Sequence, residues 1–438
     1  MRTRTLFAAL AFAPSLALAQ LAPQERTIAQ AVDRRNAESL ALLERIVNIN
    51  SGTRNLAGVR AVGAALKAEF DALGFATRWV DGAAFSRAGH LIAEHSGPGP
   101  KILMIGHLDT VFEPSSPFQK FERLDDSTAK GPGIIDMKGG DVIIVAALKA
   151  LKDAGALAGM NITVVFDGDE EDAGLPHSVA RKALVDAAQG ASVALGFEDG
   201  AADPKTAVIA RRSATTWKLT TTGTAGHASQ IFRDDLGAGA LNEAARIVHE
   251  FYQKLAGEPL LAFSGGLALG GSGVTLDSSL GSGSANGKTN VIAQRMVVTG
   301  DMRTISPEQL ARTQAAMREI VARHLPRTDA TIEFLDGYPP MAPTDGNRKL
   351  LGFFDRASQD LGLGAVQAVD PARAGAADVA FIAPYVPMII DGIGLSGHDD
   401  HSDKETADLR MLPVQAKRTA VLLSRLTKMS ELKAPLRP

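Results

Sequence analysis

The stretch from Ile102 to Asp141 holds the residues best placed to do chemistry. The apolar run ILMIGHLDTVF ends in His107 and Asp109, two positions apart. On an extended backbone they share a face. That suits an imidazole that binds a metal through one ring nitrogen and needs a carboxylate to fix its tautomer through the other. The loop GPGIIDMKGGD then delivers Asp136 just ahead of a helix-like run, with Lys138 and two glycines behind it. Taken alone, the His/Asp pair also fits a strand end whose polar residues only cap a turn.

Further acid and imidazole groups follow in order. Glu170 and Glu171 close the run NITVVFDGDEEDAG, Glu198 lies in FEDG, and His401 lies in GHDDHSDKE. Nitrogen and oxygen donors of this kind are what a pair of Zn²⁺ ions uses. Such a pair needs a carboxylate that bridges ions about 3.5–4 Å apart, and a base near the water they share. Adjacent glutamates can divide these tasks, whereas without a cation they would repel and titrate high. GDEED also reads as a solvated acidic turn. The chain has no cysteine, which excludes thiolate ligands, disulfides and a lipid-anchored cysteine.

The elements that must position these groups are legible as periodicity. Residues 25–49 and 57–73 have helical apolar spacing, as do 139–152, about 176–188, 346–362 and 413–428. Strand-like runs alternate with them, and polar residues gather where strands end. The fold class is therefore α/β with a largely parallel sheet, in which ligands bind at the carboxyl ends of strands. From Ile209 to Asp336 the order strand, helix, strand, strand, helix, strand predicts an inserted βαββαβ, ferredoxin-like unit. Its second strand is read as SGVTLDSSLG, while FSGGLALGGSGV and GSGSANGK read as flexible loops.

At 438 residues the chain is long enough for two or three compact units. The expected division is a leader over 1–19, a catalytic domain over 20–207 and 338–438, and the inserted unit over 208–337. The leader MRTRTLFAALAFAPSLALA has two arginines, an apolar core and a small-residue site, with the cut expected between Ala19 and Gln20. A periplasmic or secreted protein is the expectation. A net charge of -3 gives no reason to expect nucleic acid or an anionic membrane as partner.

The motifs GHLDT, GPGIIDMKGGD, DGDEED, FEDG and HSDKE, in this order around an inserted βαββαβ unit, resemble the M20 family of di-zinc metallopeptidases, in particular its bacterial glutamate carboxypeptidase type. The resemblance implies a zinc-exopeptidase catalytic domain with a mixed, largely parallel sheet and an inserted dimerisation or lid domain. It implies two Zn²⁺, replaceable by Co²⁺, with His107 and Glu198 on one ion, Glu171 and His401 on the other, and Asp136 bridging both. Glu170 would be the base that deprotonates the bridging water and then protonates the leaving amine, and Asp109 would orient His107. The resemblance further implies a cis peptide after Asp136 and Glu405 as a partner in support of the ligands. His227, in GTAGHAS, would reach across a homodimer to polarise the scissile carbonyl. Asn290 and Arg303 would bind the substrate's polar backbone or carboxylate, as an arginine fork suits a carboxylate.

Where such relatives carry a further arginine, this chain has Tyr338 in GYPPM; Arg348 and Arg373 are possible replacements. His398 is read as polar cleft or loop surface, and Asp378 is given no role. The expected activity is cleavage of the amide beside a C-terminal amino acid, in a peptide or an N-acyl amino acid. Aminopeptidase and N-acyl-amino-acid amidohydrolase are the alternatives within the family, and an exported, non-catalytic ligand-binding protein is the alternative outside it. A serine hydrolase is disfavoured, because no G-x-S-x-G elbow sits at a strand–helix junction.

Overall fold

The computed structural model describes residues 21–199, 203–277 and 279–432. The expected leader and its cut site lie outside them.

A six-stranded sheet runs in the order Ala76–Asp81, Gly89–His95, Asn161–Asp167, Lys101–His107, Val193–Gly196, Ile389–Ile390. Pairing is antiparallel from the first strand to the third and parallel from there on, giving the mixed, largely parallel sheet. Strand Lys101–His107 is central and covered on both faces, which is why it reads as a continuous apolar run and not an alternating one. Ile102 and Met104 face a core shared with helices Pro23–Val47, Leu56–Leu73, Gly139–Asp153 and Met411–Leu426. Leu103 and Ile105 face a smaller core with Leu184, Val379 and Ile382. Each side chain so buried stabilises the fold by roughly 1.5–3 kcal/mol.

These helices lie within a few residues of their expected positions. The one expected over 176–188 is two, His177–Ala180 and Lys182–Ala188. It breaks at Arg181, whose guanidinium is drawn down to buried acids.

A second, wholly antiparallel sheet lies between the two parts of the first, in the order Ala262–Gly271, Arg295–Arg303, Thr215–Gly223, Thr328–Phe334. Helices Gly239–Leu255 and Pro307–Val321 cover one face, where Trp217, Leu219, Ile247, Phe251 and Met317 form a third core. Gly300 is required there, because a Cβ at that position would lie 2.3 Å from the Trp217 ring. The βαββαβ order holds with one correction. The second strand is Ala262–Gly271, all but its first residue in the stretch read as a loop. SGVTLDSSLG supplies only Gly273–Leu276, which pairs with Gly283–Asn286 in a separate hairpin. Six glycines and alanines among ten residues hide the strand period; its pairing with Arg295–Arg303 makes it a strand.

The segments entering and leaving this unit run side by side. Arg211 and Met341 exchange both backbone hydrogen bonds at 2.9 Å, and the Ala214 N–H donates to the Tyr338 carbonyl at 3.0 Å. Among the described residues no helix is long and apolar enough to cross a membrane.

Candidate metal centre

The expected donors sit at the ends of strands of the first sheet or in the loops beside them. His107 is the last residue of its strand and is 1% exposed. Asp136 lies in the tight turn Ile134–Lys138 that leads into helix Gly139–Asp153, and the Asp136–Met137 peptide is cis. The glycine pair behind it is a packing requirement: a Cβ on Gly140 would stand 2.0 Å from the Phe197 carbonyl oxygen. Glu170 and Glu171 follow strand Asn161–Asp167, Glu198 follows Val193–Gly196, and His401 lies between the paired strands Gly397–His398 and Thr406–Asp408.

The structure brings these groups to one point. One oxygen of Asp136 is 3.0 Å from His107 Nε2, and the other is 2.9 Å from His401 Nε2. Glu198 flanks the first imidazole at 3.4 Å, and Glu171 flanks the second at 3.1 Å. The result is two half-sites joined through one carboxylate. Glu170 joins His107 and Glu198 in a cluster whose ligand atoms lie within 4.8 Å of one another. Asp400, which sequence reasoning passed over, does the same with Asp136 and His401.

The electrostatics mark the cluster as a place for cations. Burial first, and then the charge of Asp136, pushes the Glu171 carboxyl up to about 8. Burial and Glu198 push Glu170 up, and burial likewise raises Glu198. Hydrogen bonds to Asp136 and Glu171 lift His401 to about 11. Burial opposes charge on His107, but the carboxylates of Glu198, Asp109 and Asp136 outweigh it and hold its pKa above the ordinary range.

The donor set fits a pair of divalent ions. Two donors held about 2.0–2.1 Å from one tetrahedral ion stand about 3.3 Å apart, close to the separations of 2.9–3.4 Å seen here. Glu171 Oε1 is buried and has no hydrogen-bond partner among the described residues, as an oxygen reserved for a cation would be.

Supporting contacts hold the donors in place. His107 Nδ1 meets the Asp109 carbonyl at 3.1 Å and its carboxylate at 3.5 Å. That carboxylate also accepts from the Thr53 hydroxyl at 2.6 Å and from the backbone N–H of Glu170 and Glu171. Glu405 accepts the N–H of Gly133 and Ile135 at 2.8 Å and of Asp136 at 3.2 Å, cradling the turn that carries Asp136. Lys138 is buried, donates to the Ile49 carbonyl at 3.0 Å, and is pushed down by burial to about 8.

A cavity of about 440 Å³ opens over the cluster, lined among others by Glu170, Glu198, Arg211, Arg373, His398 and His401. Arg211 is committed to Asp391 at 2.6 Å. Arg373 is exposed and forms no ion pair among the described residues. Arg348 does not line the cavity; it donates to the Pro343 carbonyl.

The remaining expected residues lie on the second sheet's unit, and none of them lines this cavity. His227 and Asn290 are neighbours there, through the bridge His227↔Val291 and the Ala228 N–H donated to the Asn290 carbonyl at 2.8 Å. His227 is exposed, with Nδ1 on the Ser229 hydroxyl at 2.8 Å. Arg303 ends strand Arg295–Arg303 and is paired with Asp301 at 2.7 Å.

The model of peptidase family M20/M25/M40 matches residues 103–425. The chain is 28% identical to carboxypeptidase G2 of Pseudomonas sp. (strain RS-16) over 423 residues, 94% of each protein. In fold it is similar to aminopeptidase PepT of Bacillus cereus, with a TM-score of 0.71 and 18% identity over 90% of this chain and 99% of that one. It is likewise similar to a Bacillus subtilis peptidase described as a dinuclear metal-binding member of family M20, with a TM-score of 0.62 and 17% identity over 90% of this chain and 99% of that one.

Proposed function

The chain belongs to peptidase family M20/M25/M40, and from that premise we propose that it is an exported metallo-carboxypeptidase that hydrolyses the amide beside a C-terminal amino acid. The observation that carries this is Asp136, whose two oxygens each face a different imidazole, with Glu198 and Glu171 at the flanks. His107 and Glu198 would hold one divalent cation, Glu171 and His401 the other, and Asp136 both; zinc suits this donor set, and cobalt is an expected substitute. When bound, such a pair supplies Lewis acidity that polarises the carbonyl and makes water easier to deprotonate.

The chain's own groups do the rest. Glu170 faces the cavity with a raised pKa, as a base that takes a proton from water and passes it to the leaving amine must. Arg373 is placed to take the free α-carboxylate of a peptide or N-acyl amino acid, through the paired hydrogen bonds a guanidinium offers. His227, Asn290 and Arg303 would join the site from the inserted unit of a partner copy. The edge strand Ala262–Gly271 and exposed Leu241, Val248 and Tyr252 beside it support a homodimer through that unit. The composition of residues 1–19 supports export.

A second reading has its own observation. Asp199, Asp399 and Asp400 also line the cavity and would suit a free ammonium group, as in an aminopeptidase. Metal content of the purified protein, paired with a substrate panel, separates the two. Two zincs with cleavage only beside a free α-carboxylate supports the carboxypeptidase. A requirement for a free amine moves the assignment to aminopeptidase, and cleavage confined to N-acyl amino acids moves it to the amidohydrolases. A protein with neither metal nor turnover would be a binding protein on this scaffold.

A further inference from the structure

Glu170 is held at both ends of its own backbone by side chains from distant parts of the chain. Its N–H is fixed by Asp109 at 3.0 Å, and its carbonyl oxygen accepts from the Tyr338 hydroxyl at 2.8 Å. Tyr338 lies 168 residues further on, in the segment returning from the inserted unit. Its hydroxyl is itself oriented. Arg181 Nη2 donates to it at 2.8 Å, which leaves the phenolic proton to the Glu170 carbonyl.

Arg181 is in turn immobilised. It is 1% exposed, and it donates to Asp378 at 2.6 Å, to the Asp169 carboxylate at 2.7 Å and to the Asp169 carbonyl at 3.1 Å. The Tyr338 ring packs edge-on against Phe381, with centroids 4.9 Å apart, and against His177 at 5.5 Å. Arg181 thus spends each of its nitrogens on a buried partner, and the low dielectric around it makes those bonds costly to break. Turning the Glu170 carbonyl would turn its Cα and redirect its carboxylate.

We propose that Tyr338 is a positioning residue for Glu170: its hydroxyl, locked by Arg181, holds the Glu170 carbonyl and so aims the carboxylate into the cavity. The inference rests on Glu170 being the base. Tyr338 does not itself line the cavity, and what it touches of the site is the Glu170 backbone alone. Its effect therefore falls on turnover and leaves substrate capture alone.

The test is a double-mutant cycle between Tyr338→Phe and Glu170→Gln, read as kcat, KM and bound zinc. Tyr338→Phe should lower kcat by roughly 10- to 100-fold, the scale of a misplaced catalytic group, with KM within about twofold and zinc unchanged. In the Glu170→Gln background the same substitution should cost nothing further, because the group it positions is already disabled. An undiminished kcat in Tyr338→Phe would overturn the proposal, and so would an equal fractional loss in both backgrounds. If Glu170→Gln alone turns over normally, the assignment of the base fails first, whatever Tyr338 does. Should Tyr338→Phe not fold, Arg181→Lys, which keeps the charge but loses the planar fork, must show the same dependence on Glu170.

Discussion

The Asp109 carboxylate and the Glu170 backbone N–H are 3.0 Å apart. The residue that sequence spacing set beside His107 as its orienting acid therefore also fixes the loop of the proposed base. It reaches Glu171 as well, at 3.1 Å. One buried carboxylate ties the end of strand Lys101–His107 to the acid loop that follows strand Asn161–Asp167, and a substitution there disturbs both.

Asp109→Ala leaves the donors of Thr53, Glu170 and Glu171 without their acceptor, at about 1–3 kcal/mol for each that stays buried. Urea denaturation should show a lowered midpoint. Asp109→Asn keeps one acceptor and should be less destabilising, while metal affinity falls about 10- to 100-fold. Native zinc binding in both variants would remove Asp109 from the supporting network.

Glu170→Gln preserves the shape of the side chain and removes its basicity. Turnover should fall by about 10²–10⁴-fold, with zinc content and KM close to native. Stopped-time assays beside elemental analysis decide this, and near-native turnover would assign the proton transfer elsewhere.

Metal uptake should release protons. In the ion-free protein burial pushes the Glu171 carboxyl up to about 8, and hydrogen bonds to Asp136 and Glu171 lift His401 to about 11, so at pH 7 this pair holds a proton that a cation must displace. Affinity should therefore rise with pH across the neutral range. Calorimetry at pH 7 in two buffers of different ionisation heat measures the release; a heat independent of buffer would place the ions away from these two ligands.

Arg373→Ala should raise KM by at least about 10-fold for substrates with a free α-carboxylate, the loss of a charge-assisted pair. The inhibition constants of amidated, uncleaved analogues should be indifferent to the change. An equal loss on both would make the effect structural.

Glu25 supplies a test remote from the site. Its hydrogen bonds with Arg425, at 2.8 and 3.1 Å, hold its carboxyl below the ordinary value of 4.5. The stabilisation is complete above that unfolded value and is lost as pH falls through the lower folded one. Glu25→Gln should flatten this part of the acid limb of a Tm-against-pH curve; a parallel curve would show the pair contributes nothing.

Much of the site was legible because its residues carry local signals. A buried central strand shows as an apolar run, and the groups at its end stand out by contrast, as at His107 and Glu170. Asp136 is marked by the glycines that close packing requires behind it. The strand Ala262–Gly271 was not legible, since its residues have little strand propensity of their own and take their conformation from a partner. Nor was the grip of Tyr338 on Glu170 or of Arg181 on Asp378. Those contacts join residues 168 and 197 positions apart, and no periodicity or motif records them.

The paired segments at Arg211–Met341 and Ala214–Tyr338 have a consequence for the modularity of the chain. Residues 215–337 join the rest of the chain through a two-strand stem whose neighbouring strands lie about 4.8 Å apart, with Asp336 also accepting the His177 N–H at 2.9 Å. A short turn is long enough to bridge that gap. The two ends of the inserted segment thus meet side by side, and the acid and imidazole groups of the cluster all come from the chain on either side of it.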